Sequence, residues 1–169
     1  METPLLLRVK LALSPDFEAF PHVIQYVSDL LLPRTIDGAI YNDLHRIKKV
    51  YEPFLPRTVG AMDGAAARGR LDILQSLQSA HREGCSSAAF VGAAAHAHLD
   101  VIWWLNEFYE SLARPAEMVN AAARNGHVQV VEFLRRKLNR EELVSALEVA
   151  TASGHRNVAE LLRVKLIGD

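Results

Sequence analysis

Residues 121–134 read AAARNGHVQVVEFL, and the reading of this stretch decides the architecture of the chain. Asn125-Gly126-His127 has the composition of a turn, yet it interrupts apolar sequence with helical spacing. The same interruption recurs. GAAARGRLDILQSL occupies 64–77, GAAAHAHLDVIWWL 92–105, NAAARNGHVQVVEFL 120–134 and VATASGHRNVAELL 149–162. Aligned on Gly69, Ala97, Gly126 and Gly154, the turns are 28, 29 and 28 residues apart. A fixed period of this size marks a tandem array of supersecondary units.

Each unit reads as a small-residue helix, a turn, and a second helix with apolar residues at helical spacing, such as Val130, Val131 and Leu134. That is an αα-hairpin. Glycine at the turn supplies a positive φ that ends the first helix at little cost. Alanines let neighbouring hairpins approach closely, while the larger side chains of the second helix fill the layer behind. One hairpin cannot hide its apolar face, but three or more in a stack can. The fold expected is an all-α solenoid of stacked helix-turn-helix repeats.

The stretch AARNGHVQVVEFL resembles the AAxxGHxxVVxxLL half of an ankyrin repeat. Upstream of it in each unit stands an apolar residue, Met62, Phe90, Val119 or Leu147, where that family places the Leu of its T-P-L-H signature. No unit contains T-P-L-H, and the period is roughly five residues short of the usual value of about 33. GAMDGAAARGRLDIL and HREGCSSAAFVGAAAHAHLDVIWWL are similar to short-period ankyrin variants. The resemblance covers about residues 58–163 and implies persistent helices with hairpin fingers reduced to tight loops. It divides 58–169 into four ankyrin-like repeats, at about 58–85, 86–113, 114–142 and 143–169. Residues 34–57 fit weakly, with Gly38-Ala39 in the alanine pair and Asn42 at the turn, and read as a degenerate first repeat. Residues 1–33 read as an N-terminal segment with a capping helix. There Phe20, Val23, Ile24, Val27 and Leu30 or Leu31 have helical spacing, Ser14 or Asp16 is a candidate N-cap, and Pro33 is a stop.

Composition narrows the function. The chain has 169 residues, 50% hydrophobic and 23% charged, enough to bury a core without disulfides or metal. With 19 basic and 20 acidic residues it lacks the positive field that strong nucleic-acid binding requires. A single cysteine, Cys85, fits a reducing compartment, so an intracellular location, cytoplasm or nucleus, is expected. The opening METPLLLRVKLALS is a poor signal peptide, because Glu2 spoils its charged start and Arg8 and Lys10 break its apolar run. No run reaches the roughly 18 apolar residues of a membrane span.

Catalytic and metal chemistry find little to rest on. His98, His127 and His155 follow the turn in successive units, with His96 beside His98. Stacked helices stand about 8–10 Å apart, whereas zinc ligands must all lie about 2 Å from one ion. The column therefore reads as a structural tie, an imidazole N–H bonding a carbonyl of the adjoining loop. Cys85 and His81 make a conceivable nucleophile pair with no third group, and Cys85 reads as a small packing residue. There is no Walker loop, dinucleotide fingerprint or H-E-x-x-H. No enzyme, cofactor or metal is expected.

The ankyrin resemblance implies that a partner is held by the residues just before each turn and by the loops entering the first helices. Carried onto this sequence, the pre-turn pairs are Ala67-Arg68, Ala95-His96, Arg124-Asn125 and Ala152-Ser153. The loop positions are Thr58, Val59, Ser86, Ser87, Pro115, Ala116 and Val144. Arg68, His96 and Arg124 then form a mildly basic strip, with Asn125, Ser153 and Ser87 beside it. Trp103 breaks a column that is otherwise polar, Gln75, Glu132 and Glu160. It is either an outward-facing interface residue or a cover for Phe108 or Tyr109, whereas Trp104 reads as core. The expected function is a non-catalytic module, monomeric rather than homo-oligomeric, that binds a protein or peptide on a concave helix and loop surface. The alternative is a structural or oligomerisation subunit that packs through its exposed aromatic surface and N-terminal helix.

Overall fold

The structure, a computed structural model, describes residues 35–80 and 83–168. Among them it is all-helical, with ten α-helices, two 3-10 turns and no strand. The expected N-terminal capping helix lies outside the described residues. The chain divides into two units, Met1–Thr58 and Val59–Asp169.

In the first unit, α1 (Asp37–Tyr41) and α2 (His45–Tyr51) pack against one another and bury Ile36, Ala39, Ile40 and Tyr51. Asp37 is itself buried, and its carboxylate accepts from Thr58 N at 2.9 Å and Thr58 Oγ1 at 2.5 Å.

The second unit contains four helix pairs. These are α3 (Gly60–Ala67) with α4 (Leu71–Ala80), α5 (Ser87–Ala95) with α6 (Leu99–Tyr109), α7 (Pro115–Arg124) with α8 (Val128–Leu134), and α9 (Arg140–Ala152) with α10 (Arg156–Gly168). Each second helix packs on its own first helix, and the first helices pack in sequence, α3 on α5, α5 on α7, α7 on α9. The outer helices α8 and α10 also touch.

One turn geometry joins every pair. In α7, Gly126 N donates to Ala123 O at 3.3 Å and His127 N to Ala122 O at 2.9 Å, the two bonds of a Schellman ending. The same two bonds close α1, α3, α5 and α9, with the left-handed residue at Asp43, Gly69, Ala97 and Gly154. In the first unit the left-handed residue is thus Asp43 (φ 57°) and not Asn42. Asn42 sits one place earlier and donates to Gly38 O at 2.8 Å, capping α1 from its side chain.

Why small residues occupy the first helices is visible in the packing. Ala65, Ala93, Ala122 and Ala150 all have no exposed surface, and a Cβ added at Gly92 would lie 2.8 Å from the Cβ of Ala67. Larger side chains would hold neighbouring helices apart. Behind them Leu74, Leu77, Ile102, Leu105, Val131, Leu134, Val158 and Leu162 are buried, each contributing about 1.5–3 kcal/mol of transfer free energy. Trp104, expected in the core, is half-buried instead, its ring against Phe108 and Tyr109 at 5.0 and 6.2 Å. Helix α9 departs from its siblings. Asn139 and Glu142 form a capping box at its start, while Leu147 is half-buried and Thr151 exposed where Phe90 and Ala94 of α5 are sealed.

Candidate partner-binding surface

The residue before each left-handed turn residue ends its helix with an exposed polar side chain. Arg68 Nη1 donates to Gly64 O at 3.2 Å, His96 Nδ1 to Gly92 O at 2.9 Å and Asn125 Nδ2 to Ala121 O at 3.0 Å. All three bonds run to the carbonyl four residues back, one of the acceptors a helix end leaves open. The anchoring holds these side chains along the turn edge and removes part of the rotamer freedom that binding would otherwise have to quench. Arg124 and Ser153 are exposed at the same edge, and Ser87 is half-buried at the start of α5. A cleft of about 280 Å³ opens beside them, lined by Gly126, Gly154, His155, Arg156, Asn157 and Val158.

Two of the column histidines tie consecutive turns. His127 Nε2 donates to Ala95 O at 2.8 Å, and His155 Nε2 donates to Arg124 O at 2.9 Å, the equivalent carbonyl one unit on. Because a carbonyl only accepts, each ring carries its proton on Nε2. Asn125 Nδ2 adds a second bond to Ala95 O at 3.1 Å. The His98 and His155 rings lie over the glycines of the preceding turn: a Cβ at Gly69 would come within 2.6 Å of His98 Nδ1, and one at Gly126 within 2.6 Å of His155 Nδ1. His96 stacks on His98 with ring centroids 6.1 Å apart.

Not every expected contact residue is available at this surface. Ser86, assigned to a binding loop, donates through N and Oγ to the Asp63 carboxylate at 2.8 and 2.6 Å, and its Oγ accepts from Ala88 N. Thr58 makes the matching pair of bonds to Asp37. Asp37 and Asp63 each stand six residues before a left-handed turn residue, and Thr58 and Ser86 each stand eleven before the next one. That shared register is a signal the sequence carries, masked because serine and threonine in loops have the composition of solvated surface. Pro115 opens α7 as its first residue, a position that needs no N–H.

Trp103 lies away from the turn edge, on outer helix α6. It is 64% exposed, the most exposed of the large apolar side chains among the described residues. Its ring meets Phe133 of α8 at 6.1 Å, whereas Phe108 and Tyr109 belong to Trp104. Cys85 is buried, and its thiol is pushed up to about 12 by desolvation and then by the Asp63 carboxylate. It stays protonated at neutral pH and lacks the thiolate that nucleophilic chemistry requires. No described helix is long and apolar enough to cross a membrane.

No protein-family model matches this chain, and no curated protein matches it in sequence.

Proposed function

We propose that the chain is an ankyrin-like solenoid acting as a non-catalytic protein-binding module, with a protein or peptide partner held along the turn edge. The observation that carries this reading is the row formed by Arg68, His96 and Asn125, each exposed and each anchored to the carbonyl four residues back. Consecutive packing of α3, α5, α7 and α9 supports the solenoid, because it repeats one interface along the chain. Arg124 adds a planar donor fork suited to carboxylates and backbone carbonyls. The reading also takes the chain as intracellular, as its single buried cysteine suggests.

The triple change Arg68→Glu, His96→Glu and Arg124→Glu reverses the strip while leaving the buried columns intact. Partners captured by the wild-type chain from cell extract should be lost with the variant, weakened at least about a hundredfold if two of the three are hot spots. Circular dichroism should show unchanged helix content. Equal capture by both proteins would remove the turn edge as the binding surface.

A further inference from the structure

The outer face formed by α6 and α8 carries a second surface, and we infer that a second copy of this chain docks on it around a two-fold axis running between these helices. Its centre is aromatic, Trp103 against Phe133 at 6.1 Å, with Trp103 largely in solvent. Its two rims have opposite charge. On the α6 side stand Glu107 and Glu110, both exposed. On the α8 side stand Arg136 and Lys137, also exposed, with Lys137 Nζ 6.0 Å from the Phe133 ring centroid. Arg135 does not add to that rim, because it bonds Glu132 at 3.2 Å.

The repeat register makes this surface complementary to itself. Glu107 and Arg136 both lie ten residues after their left-handed turn residues, Ala97 and Gly126. Glu107 stands in the last turn of α6 and Arg136 in the 3-10 turn, Arg135–Lys137, that continues α8, so the two lie at matching distances from their turns. A two-fold axis parallel to α6 and α8 exchanges the acidic helix of one copy with the basic helix of the other. Glu107 of each copy then faces Arg136 of the other, twice over, and each Trp103 covers the other copy's Phe133. Closed two-fold contacts need this reciprocity. An acidic foreign peptide would satisfy Arg136 and Lys137 but would face repulsion from Glu107 and Glu110. Opposite rims thus favour a second copy over a uniformly charged partner. The surface is separate from the turn edge, so the Arg68, His96 and Arg124 reversals leave it unaltered.

Sedimentation equilibrium across rising concentration tests this on the full chain. The wild type should pass reversibly from one chain mass to two and no further, with weaker association at high salt. Trp103→Ala should raise the dissociation constant at least about tenfold. Glu107→Lys with Glu110→Lys, and separately Arg136→Glu with Lys137→Glu, should each be monomeric where the wild type is dimeric. Mixing these two variants should restore a one-to-one dimer, which also shows that both are folded. A wild type that remains a monomer throughout overturns the inference, as does a dimer indifferent to both reversals, a mixture that fails to associate, or growth beyond two copies.

Discussion

Phe90→Ala is expected to destabilise the protein by about 3–5 kcal/mol, the range for truncating a fully buried aromatic residue. Phe90 has no exposed surface and sits in α5, which packs on α3 before it and α7 after it. Its removal opens a cavity at a junction between hairpins, in a helix whose other buried residues are all alanine, so that helix offers no longer buried side chain to refill it. Total stability of such domains is only about 5–15 kcal/mol, so the loss should appear as a fall in melting temperature of roughly 10 °C or more. Far-ultraviolet circular dichroism on heating measures it. A shift of only a degree or two would mean that α5 is not at the centre of a packed array.

Two glycines with the same backbone angle separate conformational strain from contact. Gly126 and Gly154 both have φ of 77°, but a Cβ at Gly126 meets His155 Nδ1 at 2.6 Å while one at Gly154 meets nothing within 4 Å. Gly154→Ala should therefore cost about 1–2 kcal/mol, the penalty of a left-handed residue with a side chain. Gly126→Ala should cost about 3 kcal/mol, since it adds the displacement of a ring whose Nε2 is bonded to Arg124 O. Adding His155→Ala to Gly126→Ala should recover part of the difference, a coupling of about 1 kcal/mol in denaturant titrations. Equal costs at the two glycines would show that the histidine does not hold consecutive turns together.

Periodicity carried most of the fold into the sequence. Left-handed turn residues at Gly69, Ala97, Gly126 and Gly154, the buried alanine columns and the histidine ties all follow from aligning residues by their distance to the turn. Ala97 shows the strength of that logic: it takes φ of 62° without being glycine, at the position aligned with Gly69, Gly126 and Gly154. What escaped notice depends on partners distant in sequence or on chain direction. Asp63 and Ser86 bond across 23 residues, and neither residue type alone indicates burial or pairing. Asn42 reads as the turn residue and Asp43 takes the left-handed conformation instead, because either residue type tolerates that region and only the hydrogen bonds choose. For the surface, the pre-turn columns located the row of Arg68, His96 and Asn125. They did not reveal that each is anchored, nor that Trp103 reaches Phe133 of the following pair rather than its own neighbours.

If the hairpins form a linear array, a whole period can be removed without disturbing the contacts among those that remain. Deleting residues 98–126 joins Ala97 to His127 and takes out one period of 29 residues, leaving α5 to stack on α9 through the same buried columns. Thermal unfolding of this deletion variant, followed by circular dichroism, is predicted to give a helical protein with a single cooperative transition at a lower temperature than the wild type. A variant without a cooperative transition would contradict the array, since it would mean that the deleted hairpin packs into a shared core rather than between two equivalent neighbours.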